Sequence, residues 1–146
     1  MKIQVKKLHE EASVPEYKSN EAAGFDFVAL EETHFKLWET KLVRTGIAID
    51  VGPGYQLEVR NRSGMALKTP MRVTNSPGTV DADYRGEVYV MMTMVPTAMA
   101  YSEYTIKKGE RIAQGVVMPA IKADIEVVSE LNSTDRGAGG FGSTGK

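Results

Sequence analysis

The side chains that could do chemistry are concentrated in a few short segments. Asp81 and Asp83 form a pair of carboxylates in the turn-rich segment NSPGTVDADYRGEV, which also contains Tyr84. Asp26 lies in AAGFDF, where apolar neighbours would make an unpaired charge costly. Gln114 is a single amide among apolar residues in KKGERIAQ. A solvated loop explains the carboxylate pair at least as well as catalysis does, so none of these segments alone assigns a reaction.

The segment RNRSGMALK is suited to holding an anion. Arg62, Ser63 and Gly64 stand at the predicted start of a short helix, Ser63 to Lys68. Backbone N–H groups and the helix dipole favour negative charge at such a place. The alternative is that Ser63 simply caps the helix. The segment therefore predicts either an anion site or an ordinary helix N-terminus.

The tail GFGSTGK, Gly140 to Lys146, nearly matches the phosphate-binding pattern G-x-x-x-x-G-K followed by Ser or Thr. No hydroxyl residue or helix follows Lys146 in the sequence, so the pattern lacks its usual scaffold. Glycine-rich termini are usually flexible and have no function. The pattern alone is therefore not evidence for a phosphate site.

Side chains of the tail argue against the flexible-terminus interpretation. Arg136 is a forked donor for oxyanions, and Ser143 and Thr144 are adjacent hydroxyls among glycines. Phe141 is a lone aromatic residue that could stack on a base. These residues predict a lid that closes over a site built elsewhere.

The elements that must position these residues follow a period of two, which is typical of strands. Strands are predicted at Ile3 to Leu8, Gly24 to Leu30, Leu42 to Val51, Tyr55 to Arg60, Glu87 to Val95, Arg111 to Pro119 and Asp124 to Val128. Many short strands separated by turn signals favour an all-β fold, a single barrel or jelly roll. We expect this barrel to comprise residues 1–132 and the mobile arm residues 133–146.

Composition excludes several classes of function. A chain of 146 residues with 42% apolar residues fits one globular domain. The net charge of −1 argues against nucleic acid as a partner, and we find no apolar run or signal peptide that would indicate a membrane. There is no cysteine, and His9 and His34 are expected to be surface residues. We expect a cytoplasmic protein.

In this order, five segments resemble the motifs of the trimeric dUTP pyrophosphatases (dUTPases). The segments are AAGFDF, NRSGMA, NSPGTVDADYRGEV, GERIAQ and RGAGGFGSTG. The resemblance implies a jelly-roll β-barrel and a homotrimer, whose three active sites form at subunit interfaces. The C-terminal arm would close over a neighbour's site, so the tail would need no helix of its own.

The resemblance also implies a reaction, the hydrolysis of dUTP to dUMP and pyrophosphate by attack of water at the α-phosphorus. That reaction would keep uracil out of DNA and supply dUMP. Asp81 would be the general base and touch the 3′-OH, and Asp26 would reach a phosphate-bound Mg²⁺ through water. The residues implied to hold the phosphates are Arg62, Ser63, Gly64 and Gln114 on the barrel, and Arg136, Gly142, Ser143 and Thr144 on the arm.

Base and sugar selection would depend on the hairpin between Asn75 and Tyr89. The resemblance implies that main-chain groups of Thr79, Val80 and Tyr89 meet the uracil edge, with Asn75 at the hairpin mouth. Tyr84 would pack under the deoxyribose and exclude a 2′-OH. On the arm, Phe141 would cover the uracil.

Some positions depart from the family pattern. Asn61 stands where proline is usual, Met65 replaces a common leucine and Gly115 replaces a bulky residue. Pro77 and Thr79 alter the usual hairpin sequence. No charged catalytic side chain is lost, so these departures bear on substrate preference rather than on activity.

Three alternatives remain open. A dCTP deaminase shares the fold but uses a glutamate as a proton shuttle, and VDADY contains no glutamate before Glu87. A binding protein gated by dUTP would use an added surface such as the long stretch Met94 to Tyr104. A plain jelly-roll ligand-binding module would leave the five motifs a coincidence.

Overall fold

The fold is all-β, as the period of two predicts. The structure, a computed structural model, describes residues 1–141 and 143. Its elements are β1 (Gln4–Lys7), β2 (Phe25–Val28), β3 (Thr33–Lys36), β4 (Thr40–Val43), β5 (Ile47–Asp50), β6 (Tyr55–Arg60), α1 (Ser63–Lys68), β7 (Met71–Val73), β8 (Gly78–Val80), β9 (Val90–Met94), β10 (Glu103–Ile106) and β11 (Arg111–Pro119). The strands β6 and β11 and the helix α1 have the predicted bounds.

The strands form a four-stranded sheet in the order β2-β11-β6-β8, a three-stranded sheet β4-β9-β7 and the pairs β1-β5 and β3-β10. All these pairs are antiparallel. Alternate residues of each main sheet enter one apolar cluster, for example Leu57 and Val59 of β6 and Met92 and Met94 of β9. This arrangement is consistent with a jelly roll. Within the described ranges, no helix has the length and apolar character that crossing a membrane requires.

The predicted strand from Leu42 to Val51 is wrong as a single element. The chain forms β4 and β5 instead, and these pair with β9 and β1 respectively. The break falls at Arg44 to Gly46, where Gly46 has φ +70°, a value at which side chains are strained. The chain therefore changes sheets at this corner.

Two other strand predictions need correction. The strand predicted from Glu87 begins at Val90, because Val88 donates its N–H to the carbonyl of Ile47, the first residue of β5, at 2.8 Å. The strand predicted at Asp124 to Val128 is absent. Among the described residues, the last main-chain bond from this end of the chain to the barrel is from the Ala120 N–H to the Gly54 carbonyl at 2.9 Å, and segment 121–131 pairs with no strand there.

Two departures from the family pattern have structural reasons. A Cβ atom on Gly115 would lie 2.5 Å from the ring of Phe25, so the glycine makes room for that ring. Asn61 accepts the Val73 N–H through its side chain at 2.7 Å and donates its own N–H to Ser76 at 3.2 Å. Proline has no N–H, so Asn61 ties the start of α1 to its neighbours more completely.

The long stretch from Met94 to Tyr104 connects β9 to β10. The rings of Tyr101 and Tyr104 pack edge to face within it, with centroids 5.9 Å apart. Burial, reinforced by the Glu110 carboxylate, raises the pKa of Tyr104 to about 12. This connection is therefore folded onto the barrel at its C-terminal end.

Candidate active site

The four-stranded sheet brings three of the sequence segments together. Gln114 on β11 pairs with Asp26 on β2 on one side and with Arg60 on β6 on the other. Arg62 follows two residues after Arg60 and begins the connection into α1. A single row across the sheet therefore gathers AAGFDF, GERIAQ and NRSGMA, and we call this group the row cluster.

Asp26 is the buried charge of the row cluster, with 14% of its side chain exposed. Its Oδ1 accepts a hydrogen bond from Arg62 Nε at 2.7 Å, and its Oδ2 accepts one from Arg111 Nη1 at 3.0 Å. Arg62 also donates to the Arg111 carbonyl at 3.2 Å. Two guanidinium groups thus compensate one carboxylate, and the site keeps an excess positive charge that suits an anion.

Sequence reasoning missed Arg111. In the sequence, Arg111 is a cation at the first position of a largely apolar strand. Only the folded sheet shows that its side chain bonds Asp26.

Gln114 fixes the entry to α1. Its Nε2 donates to the Asn61 carbonyl at 2.8 Å. Arg62 occupies the cap position in an extended conformation, and no side-chain hydrogen bond caps the helix. The alternative that Ser63 serves as the helix cap is therefore wrong. Ser63 and Gly64 lie exposed beside Arg62 at the edge of the row cluster.

The second group of predicted residues lies on the hairpin after β8. The Tyr84 N–H donates to the main-chain carbonyl of Asp81 at 3.1 Å and closes a turn. Arg85 braces this turn by donating to the carbonyls of Ala82 at 2.6 Å and Tyr84 at 3.0 Å. Arg85 also forms an ion pair with Asp50 of β5 at 2.8 Å. The carboxylate pair therefore stands on a braced turn rather than on a loose loop.

Asp81 stands between two cavities. The smaller, of about 220 Å³, is lined by Thr79, Val80, Asp81, Tyr84, Glu87, Val88 and Tyr89, and we call it the hairpin pocket. The larger groove, of about 830 Å³, is lined by Asp81 together with Asp50, Gln56, Asp83, Arg85 and Lys122, among others. Asp83 lines only the larger groove. Asp81 is therefore the carboxylate that a ligand in the hairpin pocket would meet.

The hairpin pocket gathers five of the predicted site residues, Thr79, Val80, Asp81, Tyr84 and Tyr89. Its volume is below the roughly 300 Å³ at which pockets for whole small ligands begin, so it suits one part of a larger ligand. Asn75 does not line it. The Asn75 amide packs against Gly78, where an added Cβ would lie 2.9 Å from Nδ2.

Glu87 closes the inner side of the hairpin pocket. Burial would raise the pKa of its carboxyl, but hydrogen bonds from Arg44 and the Gly46 N–H, with smaller effects from the Arg44 charge and Tyr89, lower it. The donors from Arg44 and Gly46 engage the carboxylate at the corner between β4 and β5. The one glutamate that a deaminase could use in this pocket is thus committed to another role.

The row cluster and the hairpin pocket are separate in one chain. Val80 pairs with Leu57 of β6, whereas Gln114 pairs with Arg60. Leu57 and Arg60 are three residues apart, which is about 10 Å along a strand. In the described part of the chain, no residue of the row cluster lines the hairpin pocket.

The described part of the arm bonds locally. Arg136 Nε donates to the Gly139 carbonyl at 2.8 Å, and the Ser143 N–H donates to Gly140 at 3.0 Å. The Phe141 side chain is fully exposed. Gly142 and Thr144 lie outside the described residues. One chain alone does not bring the described arm residues to the hairpin pocket.

Residues 1–141 and 143 contain no group of three or more His, Asp or Glu side chains placed to hold a metal ion. His34 bonds Thr105 Oγ1 at 3.0 Å through Nδ1, and His9 accepts the Glu11 N–H at 3.3 Å. Both histidines lie on the surface, as predicted.

Comparison with known proteins gives the same assignment as the motifs. A family model described as dUTPase matches residues 10–145. The chain belongs to the dUTPase family. It is 48% identical to the deoxyuridine 5′-triphosphate nucleotidohydrolase of Nautilia profundicola, with all of both chains covered. It is 47% identical to that of Wolinella succinogenes, covering all of this chain and 95% of the other.

The fold matches a solved family structure as well. The dUTPase of Staphylococcus bacteriophage 80alpha, solved with dUPNHPP, superposes with a TM-score of 0.89. It is 28% identical, and 99% of each chain is covered.

Proposed function

We propose that this protein hydrolyses dUTP to dUMP and pyrophosphate. The observation that carries the proposal is the position of Asp81 at the border of the hairpin pocket, which has room for a base and sugar but not for a whole nucleotide. Family membership and the names of the two bacterial relatives support the same substrate.

Asp81 acts as the general base. A carboxylate at the border of the pocket can hold a water molecule and accept its proton as the water attacks the α-phosphorus. The turn from Asp81 to Tyr84, braced by Arg85, holds the carboxylate in place before the substrate arrives. The 3′-OH of the sugar in the pocket lies within reach of the same carboxylate.

The row cluster holds the triphosphate. Arg62 supplies a forked cation that Asp26 already orients, and Ser63 and Gly64 lie exposed beside it. Gln114, at the centre of the row cluster, holds the Asn61 carbonyl just before Arg62 and so assists in binding the phosphates. Positive charge at this place stabilises the pyrophosphate leaving group as the bond to the α-phosphorus breaks.

Asp26 could hold Mg²⁺ only through water molecules. Asp26 is a single carboxylate with both oxygens bonded to arginines, so it cannot form a cage around a metal. Mg²⁺ usually keeps several waters and binds through one or two carboxylates and substrate phosphates. Asp26 would hold the ion through water, and the ion would supply neutralisation of phosphate charge.

The hairpin pocket selects base and sugar. Main-chain groups of Thr79, Val80 and Tyr89 face the uracil edge, and Asn75 holds the hairpin mouth against Gly78. Tyr84 forms one wall, and its hydroxyl donates to the Glu87 carbonyl at 3.0 Å. A wall held in this way leaves no space for a 2′-OH, and a pocket that leaves polar groups unpaired rejects the wrong nucleotide strongly.

The complete site requires three copies of the chain. The row cluster and the hairpin pocket are separate in one chain, so the row cluster of one copy would face the hairpin pocket of another. Segment 121–131 exposes Ile121, Ile125, Val127 and Leu131, each between 88% and 96% exposed, and another copy would cover these side chains.

The arm, residues 133–146, would close over the site of a neighbouring copy. We assign Arg136, Gly142, Ser143 and Thr144 to the γ-phosphate and Phe141 to the uracil. The local turns at Arg136 and Ser143 would open as these groups move onto the ligand.

The test is to incubate the protein with dUTP, dCTP, dTTP or UTP and Mg²⁺, and to measure pyrophosphate and ammonia. We expect pyrophosphate from dUTP alone. Ammonia from dCTP, or no product from any nucleotide, would overturn the proposal.

A further inference from the structure

Glu87 is the most heavily bonded carboxylate of the hairpin pocket, although it lies outside the reaction. Only 8% of its side chain is exposed. Arg44 donates to it through Nε at 3.2 and 3.3 Å and through Nη2 at 3.0 Å, and the Gly46 N–H donates at 2.8 Å. These donors lie at the corner between β4 and β5. The carboxylate therefore fastens the hairpin to the point where the chain changes sheets.

The main chain on either side of Glu87 also connects to the pocket. The Tyr84 hydroxyl donates to the Glu87 carbonyl at 3.0 Å. The next residue, Val88, accepts a hydrogen bond from buried Thr45 Oγ1 at 2.5 Å and donates its N–H to Ile47. Tyr89 follows and lines the same pocket. The Tyr84 hydroxyl bond and the main chain that leads into Tyr89 thus depend on the placement of this one residue.

We propose that Glu87 is a positioning residue that sets sugar and base selection by holding Tyr84 and Tyr89 through its ion pair with Arg44. The inference rests on the proposed function, because it concerns the same pocket. Its physical basis is rigidity, since a shielded carboxylate with a forked partner and a main-chain donor has one favoured geometry. Without that geometry, residues 87–89 can shift, and the carbonyl that holds Tyr84 shifts with them.

The contacts that hold the walls of the hairpin pocket differ from those that hold the general base. Asp81 is held by a different brace, the bonds of Arg85 to Ala82, Tyr84 and Asp50. Loss of the Glu87 carboxylate therefore leaves the base in place while it loosens the walls. A general loss of structure would instead lower kcat and affinity for all nucleotides together.

The experiment compares Glu87→Gln with Glu39→Gln in kinetics on dUTP and UTP. Glu39 is a matched control, because it also accepts a main-chain N–H and pairs with a cation, in the turn between β3 and β4. For Glu87→Gln, KM for dUTP should rise and the preference for dUTP over UTP should fall, each about tenfold, for the loss of one charge-assisted bond. We expect kcat to stay within about twofold, since the base is untouched. Glu39→Gln should match the parent.

Each outcome decides the proposal. An unchanged dUTP to UTP preference in a folded Glu87→Gln protein would overturn it, and so would an equal loss in Glu39→Gln. If Glu87→Gln does not fold, Arg44→Lys, which keeps the charge but removes the forked donor outside the pocket, replaces it. A lower preference in that variant supports the proposal, and an unchanged one overturns it. A parent protein inactive on dUTP would instead refute the proposed function.

Discussion

Asp81 and Asp83 are chemically identical carboxylates two residues apart, and their surroundings separate them. Asp81 borders both the hairpin pocket and the larger groove, whereas Asp83 borders the groove alone. A general base must lie within hydrogen-bond reach of the attacking water. Under the proposed function, position relative to the hairpin pocket therefore decides which of the two is the base.

Asp81→Asn should lower kcat by about 10²- to 10⁴-fold, because the amide keeps the shape but cannot accept the proton. Binding of dUTP should remain measurable by calorimetry. Asp83→Asn is the matched control and should keep most of the turnover. If the two variants exchanged these results, the base would be Asp83.

Glu87 should also make a contribution to the free energy of unfolding that depends on pH. Its folded pKa lies below the usual 4.5, so its contribution is complete above about pH 4.5 and is lost as the pH falls through the folded pKa. Glu87→Gln should cost about 1–3 kcal/mol of unfolding free energy at pH 7, with allowance for the partly exposed Arg44. Urea unfolding from pH 7 to pH 3 measures the difference between parent and variant. A difference that does not shrink in acid would contradict this assignment.

At the scale of elements, local signals predicted some parts of the fold and long-range contacts decided the rest. β6 alternates clearly, β11 is a largely apolar run that ends at Pro119, and α1 follows a charged turn, so their bounds could be read from the sequence. The break between β4 and β5 could not, because it depends on Glu87, about 40 positions away. The strands β7 and β8 have three residues each, too few to show a period.

The site was predictable to the same extent. The sequence assigned roles to other residues of the five motifs, but it assigned none to Arg111, Arg85 or Arg44. Each of these arginines acts through a partner that only the folded chain brings near. Spacing along the sequence carries no signal for such pairs.

Gly115 tests the packing of β11 on β2. Gly115→Leu should destabilise the protein by about 1–3 kcal/mol, because its Cβ would meet the Phe25 ring. Gly64→Ala is the control, since nothing lies within 4 Å of an added Cβ at that helix position. Thermal unfolding of both variants measures the effect. Equal stability of Gly115→Leu and the parent would mean that the ring moves aside at little cost.

For the whole molecule, the separation of the row cluster from the hairpin pocket matters most. We propose that the row cluster of one copy meets the hairpin pocket of another, so that activity belongs to an assembly. The exposed apolar side chains of segment 121–131 lie between the barrel and the arm in the sequence, and we propose that copies meet there.

Truncation after Asn132 should leave a folded barrel and nearly abolish turnover. The residues removed are polar and glycine-rich and bury little apolar surface, but they include Arg136 and Phe141. Circular dichroism and pyrophosphate release measure the two effects. Mixing truncated chains with full-length Asp81→Asn chains should restore part of the activity, since one supplies the base and the other the arm.

Recovery in the mixture requires that chains exchange, which native mass spectrometry would show. Exchange without recovery would mean that each arm closes over its own chain. The arm would then still be a lid, but the assembly would not share it.

The two hydrogen bonds that Asp26 accepts from Arg62 and Arg111 should affect the entropy of ligand binding. Long cationic side chains lose considerable rotational freedom when they grip a phosphate. Here that loss occurs during folding, because the carboxylate already immobilises both guanidinium groups. The triphosphate therefore meets cations that have little disorder left to lose, and its association is relieved of part of the entropic penalty that a free arginine would impose.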